Sequence, residues 1–212
     1  MDRGVVGGQL GGFAGGGGGT VEVATATKAV CSGEILQTLR RSRLDQSLAE
    51  YFRIIELKTA ELFSLACELG ALLAAQQPAP RAALRQFGLS FGTAYQVFDD
   101  CLDLFGKEEH AGKTLGTDLT KGKITLPLLL AHEDATPTDR QGLAAILARA
   151  PTQRLADLRP ILDRYHAGAR CREVVENFLS NAREAASQFH GTPALLRLTD
   201  YLALQTSRLG AA

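Results

Sequence analysis

From Val21 onward the apolar residues recur at intervals of three and four, and nowhere do apolar and polar positions alternate for long enough to make a strand. The pattern predicts an all-α chain. A first helix covers Ala24 to Arg40. A second is opened by Ser47-x-x-Glu50, whose hydroxyl and carboxylate can satisfy orphan backbone amides, and it runs to about Ala75, where Pro78 and Pro80 end it. The third begins near Arg81, stays apolar through Phe105 and is closed by Gly106, and a polar, glycine-containing loop follows from Lys107 to Lys123. Further helices are predicted over Thr125 to Glu133, Thr138 to Ala150 and, with an interruption, Ile161 to Phe189. The last is opened by Thr192-Pro193, a cap followed by a first-turn proline.

The beginning of the chain has no such pattern. Glycine dominates Gly4 to Gly19, and ordering that many glycines costs too much backbone entropy for a regular element. The division expected is a disordered lead over residues 1–20 and a folded domain over residues 21–212. A dinucleotide-binding GxGxxG is excluded, since no strand precedes the glycines and no acidic residue follows at the required distance. The segment resembles neither a secretory signal nor an Arg-rich transit peptide.

With 45% of 212 residues hydrophobic, the chain can build one core but hardly two. Its 23 basic and 23 acidic residues balance, and no Lys/Arg cluster interleaves with aromatics, which argues against a nucleic-acid partner. Cys31, Cys67, Cys101 and Cys171 lie far apart with no CxxC, unlike a zinc site or a disulfide framework; they read as buried thiols of a reducing cytoplasm. No apolar run approaches the roughly 18 residues of a membrane span.

The chemistry concentrates in two neighbouring stretches. Asp99, Asp100 and Asp103 form a DDxxD group within an apolar helix, where Asp99 and Asp100 each share a face with Asp103, and Gln96 lies one turn earlier. Carboxylates so close repel one another unless something positive lies between them, and Mg²⁺, which takes oxygen ligands from carboxylates and phosphates, suits that position. The loop after this helix carries Lys113, Lys121 and Lys123 among Gly112, Gly116 and Gly122. Glycines admit close approach to a ligand and lysines offer charge to phosphate oxygens, so beside DDxxD the loop reads as a diphosphate cradle. Earlier, Lys58-Thr59 sits inside an apolar helix, where a lone lysine by default snorkels to solvent. Gln37 reads as a surface residue, and Gly88 and Gly92, one turn apart, as a helix-packing contact.

Taken together, GExxQ at Gly33–Gln37, Lys58-Thr59, Tyr95-Gln-x-x-Asp-Asp-x-x-Asp103 and Gly112-Lys-x-x-Gly-x-Asp-Leu-x-x-Gly-Lys-x-Thr-Leu-Pro127 resemble the trans-prenyl diphosphate synthase family, in particular its bacterial octaprenyl-type branch, over about residues 22–210. The resemblance implies an isoprenoid-synthase helical bundle. It implies that Asp99, Asp100 and Asp103 hold Mg²⁺ on the diphosphate of an allylic substrate. Lys58, Lys113 and Lys123 would contact that diphosphate, and Thr59 and Gln96 would line the cavity near the reacting carbon. The implied reaction is ionisation of an allylic prenyl diphosphate, attack by isopentenyl diphosphate and loss of a proton.

The family pattern has a first aspartate-rich motif, whereas the only aspartates before Asp99 here are Asp2 and Asp45. The expectation is therefore a polyprenyl synthetase domain without its amino-terminal helices, impaired when alone, whose uncovered apolar faces favour homo- or hetero-oligomers. The alternative is a non-catalytic helical subunit that pairs with a full-length synthase. A terpene cyclase-like lyase fits the Gly/Lys loop poorly.

Overall fold

The computed structural model describes residues 18–209, apart from 75, 107, 109–111, 113, 150 and 190–192. The glycine-rich lead up to residue 17, Lys113 and Thr192 lie outside the described residues. Among the described residues are ten α-helices, one π-helical segment and no strand, as the periodicity predicts.

Helix α1 spans Gly18–Leu39. It starts within the stretch expected to be disordered: Gly18 to Thr20 already form its first turn, continuous with the apolar run from Val21. Helix α2, Leu48–Ile55, has the anticipated capping box, with Glu50 N–H donating to Ser47 Oγ (3.2 Å) and Ser47 N–H to Glu50 Oε2 (3.0 Å). It passes into the π-helical segment Glu56–Ala60 and then into α3, Glu61–Leu73.

Helix α4 runs Pro78–Phe105. Pro78 and Pro80 therefore open this helix rather than close the one before, because a first-turn residue needs no N–H partner and the proline φ is already helical. α4 is the axis of the bundle, packed on one side by α3 and on the other by α9. Gly88 and Gly92 make the α3 contact possible. A Cβ would lie 2.5 Å from the Phe63 carbonyl oxygen at the first and 2.7 Å from Ala60 Cα at the second.

The described part of the loop after α4 includes a helical turn, α5, Thr117–Thr120. Then come α6, Leu126–Asp134, and α7, Pro137–Leu147, the latter capped by Thr136, whose hydroxyl accepts from Asp139 N–H. Helix α8, Pro151–Arg164, begins ten residues before Ile161, where the pattern predicts the interrupted helix to start, and α9, Ala167–Ser187, follows it across a break where His166 takes a positive φ of 51°. Helix α10 is Pro193–Ser207. Leu126, Leu128, Leu143, Leu158, Leu162 and Leu179 are fully buried and, with Val97 and Val175, fill the centre between α4, α6, α8 and α9. Cys101 and Cys171 belong to this core, but Cys31 is exposed on α1 and Cys67 half-buried, so the expectation of buried thiols holds for two of the four.

Candidate functional site

The GExxQ group and Lys58 explain one another. At Gly33 a Cβ would lie 2.7 Å from the Lys58 backbone nitrogen, so glycine lets α1 lie against the π-helical segment. One residue on, the Glu34 carboxylate pairs with Lys58 Nζ (2.5 Å), and one turn on, Gln37 Oε1 accepts from the same ammonium (2.6 Å). Lys58 is thus held between two partners and does not snorkel. Lys58 above all, then the charges of Lys123 and Arg41, keeps the Glu34 carboxyl below its ordinary range.

A π-turn carries an extra residue and shifts the side chains that follow it. Lys58 turns toward α1, and its neighbour Thr59 turns toward α4. Thr59 Oγ1 donates to Gln96 Oε1 (2.8 Å), Gln96 Nε2 donates to Asp100 Oδ1 (2.9 Å), and Tyr51 on α2 donates its hydroxyl to Asp100 Oδ2 (2.7 Å). Asp100 is buried, and burial pushes its carboxyl up to about 7; the donors Tyr51 and Gln96 oppose that rise, and the charges of Asp118 and Asp99 add to it. Burial, followed by the Asp100 charge, likewise pushes the Tyr51 hydroxyl well above its usual value.

One turn further along α4, Asp103 faces the loop. Its carboxylate accepts from the backbone N–H of Thr117 (3.2 Å) and of Asp118 (3.1 Å), and from the Thr117 hydroxyl (3.3 Å). Asp118 in turn holds Lys123 Nζ at 2.5 Å, and Ser42 N–H donates to the Gly122 carbonyl (2.7 Å), which ties the end of the loop to the turn after α1. A cleft opens between these parts, lined by Gln37, Arg40, Gln46, Tyr51, Asp100 and Lys123. Arg40, paired with Glu50, and Lys123, paired with Asp118, line it together with the Asp100 carboxyl.

The fold therefore joins Thr59, Gln96 and Asp100 in one hydrogen-bond chain, places Asp100 and Lys123 on the cleft with Lys58 one hydrogen bond away at Gln37, and brings the Asp99 charge close enough to be felt at Asp100; Asp103 is tied to the loop, and Lys113 is outside the described residues. Among the described residues no three carboxylate, imidazole or thiol groups converge on a common point as a closed cation cage would require. Asp100 and Asp103 are engaged with protein donors, and Asp99 is half-buried. Hard oxygen donors without a closed cage fit a Mg²⁺ that takes one or two carboxylates and completes its shell with water and substrate phosphate. Sequence reasoning missed Tyr51, Arg40, Glu34 and Asp118 as members of this site. Glu34 and Asp118 lie within the motifs that were read, but nothing distinguishes Tyr51 from its apolar neighbours on α2.

The bundle thus sets one carboxylate, Asp100, and two cationic side chains, Arg40 and Lys123, on one cleft. The chain belongs to the polyprenyl synthetase family, whose model matches residues 20–163. It is 35% identical to the short chain isoprenyl diphosphate synthase of Methanothermobacter thermautotrophicus, over 73% of this chain and 48% of that protein. It is 34% identical to the octaprenyl diphosphate synthase of Escherichia coli, over 68% of this chain and 44% of that protein. Among solved structures it is similar to a polyprenyl synthase from Caulobacter crescentus complexed with calcium and isoprenyl diphosphate, with a TM-score of 0.78 and 33% identity over 91% of this chain and 59% of that one. The chain spans about half the length of the curated relatives it matches.

Proposed function

We propose that this chain binds the diphosphate of an allylic prenyl substrate together with Mg²⁺, as the diphosphate-holding part of a prenyltransferase that condenses that substrate with isopentenyl diphosphate. The observation that carries the reading is the hydrogen-bond chain Thr59–Gln96–Asp100–Tyr51, which joins the lysine-bearing π-segment to the acidic helix at one cleft. The Caulobacter relative, solved with a divalent cation and a prenyl diphosphate, supports the ligand class.

In this reading Asp99 and Asp100 would hold the cation, and Lys58, Lys113 and Lys123 would offer point charges to the diphosphate oxygens. Bound Mg²⁺ supplies charge stabilisation on the departing diphosphate. Thr59 and Gln96, each held by a neighbour, present polar atoms of fixed direction near the carbon that gains positive charge as its C–O bond breaks. We place the protein in the cytoplasm, where four free thiols stay reduced.

Within these 212 residues there is one aspartate-rich motif, so the reading expects binding to outlast transfer in this stretch alone. Calorimetric titration with farnesyl diphosphate, with and without Mg²⁺, followed by addition of isopentenyl diphosphate, tests it. Mg²⁺-dependent binding is expected, and equal binding without the metal, or none, rejects it. A second reading, a helical subunit that assembles with a synthase or with itself, is favoured by exposed apolar residues: Ile35 and Leu39, one turn apart on α1, are 61% and 67% exposed, and Leu73 on α3 is 74% exposed. Light scattering of the purified chain, alone and with a full-length relative, checks it.

A further inference from the structure

We propose that Asp103, the last residue of DDxxD, is a positioning residue that folds the Gly116–Lys123 stretch of the loop onto α4, and not a ligand of the cation. The cation and diphosphate named here rest on the function proposed above; the clamp itself does not. Three consecutive backbone amides converge on this one residue. Gly116 N–H donates to the Asp103 backbone carbonyl (3.0 Å), Thr117 N–H to Oδ1 (3.2 Å) and Asp118 N–H to Oδ2 (3.1 Å), with the Thr117 hydroxyl also on Oδ1 (3.3 Å).

Gly116 makes the convergence possible, because its φ of 73° followed by helical residues turns successive N–H groups to one side. That geometry is a nest, which attracts anions. Here the anion comes from the protein, since Asp103 is buried, at 2% exposure, and both its oxygens lie in the nest. Asp100 also accepts protein donors on both oxygens but lines the cleft, whereas Asp103 is not among the residues lining it and its oxygens face the loop amides. The glycine-rich loop thus serves Asp103 before it serves a ligand. Its outward product is the Asp118–Lys123 pair (2.5 Å), with Lys123 on the cleft wall and the Asp118 charge close enough to be felt at Asp100.

The test has two arms on the full chain. Amide hydrogen exchange of the ligand-free protein, read by NMR, should show Thr117 and Asp118 exchanging at least about tenfold faster in Asp103→Ala, as expected for loss of charge-assisted bonds. Asp99→Ala should leave both amides unchanged. In the second arm, Mn²⁺ is titrated in the presence of inorganic pyrophosphate and read by electron paramagnetic resonance. Asp103→Ala should weaken pyrophosphate binding while Mn²⁺ affinity at saturating pyrophosphate stays that of the wild type, and Asp99→Ala should lower the Mn²⁺ affinity itself. If Asp103→Ala fails to fold, the isosteric Asp103→Asn carries both arms, since its amide group opposes one of the two N–H donors. Unchanged exchange at Thr117 and Asp118, or a Mn²⁺ loss matching that of Asp99→Ala, overturns the proposal. A wild-type chain that binds no pyrophosphate sinks the function proposed above and leaves the exchange arm to decide the clamp.

Discussion

Asp100 and Asp103 are buried one turn apart on α4, yet the two regions around them are built differently. Around Asp100 the partners are side chains, a tyrosine from α2 and a glutamine from α4, and the glutamine is fixed by a threonine of the π-segment. Around Asp103 the partners are backbone amides and one hydroxyl of a loop that bends to meet them. The first arrangement is tertiary and leaves the carboxylate at the floor of the cleft, where burial outweighs its neutral donors and raises its proton affinity. The second is architectural and engages its carboxylate with the loop. On the roles proposed above, identical residues in one motif divide between meeting the substrate and shaping the wall that meets it.

The contrast is broken most sharply at Asp99, the motif's remaining carboxylate. Asp99→Ala should reduce Mg²⁺-dependent farnesyl diphosphate affinity by about a hundredfold, or about 3 kcal/mol. Calorimetry measures it, and an unchanged affinity would remove Asp99 from the site. Stability should then depend on pH through Asp100 in the metal-free chain. Its carboxyl titrates at about 7 folded and near 3.8 unfolded, so between those values the unfolded chain loses a proton that the folded chain keeps. Stability from this group is present below the unfolded value and is lost as pH rises through the folded one. Asp100→Asn should remove a decline on the order of 2 kcal/mol between pH 5 and 8, visible in urea unfolding at the two pH values; an unaltered slope would remove Asp100 from the account.

Tyr51→Phe should cost about 1–2 kcal/mol, since it leaves a buried carboxylate oxygen without its donor. Introduced into Asp100→Asn, the same change should cost less, and a double-mutant cycle reads the coupling. The smallest effect belongs to the lysines. Lys113→Ala and Lys123→Ala should each weaken diphosphate binding about tenfold even with Mg²⁺ in excess. A change confined to the metal affinity would contradict their role.

What the sequence makes legible here follows from the range of each interaction. Helix periodicity, the Ser47–Glu50 capping box and the Gly88/Gly92 contact are local or repetitive; the capping box and the glycine contact are found where the pattern puts them, and the period gives the all-α class while several helix starts differ, α8 by ten residues. Pro78 and Pro80 misled because a proline cluster between two apolar runs marks a boundary without saying which helix it belongs to. The turn at Thr117–Thr120 is too short for any period to reveal. At the site, DDxxD identifies the carboxylates, but which of them is buried against a loop depends on residues 14 and 15 positions away in sequence. Tyr51 reaches Asp100 across 49 positions, and no spacing rule spans that distance.

A structure of this chain with Mg²⁺ and a non-hydrolysable farnesyl thiodiphosphate tests the account most directly. The predicted result is a cation bridging the diphosphate and Asp99, lysines on the outer phosphate oxygens, and Asp103 still holding the amides of Gly116, Thr117 and Asp118. A cation ligated by Asp103 with those amides released, or a diphosphate bound away from the α4 cleft, would contradict it.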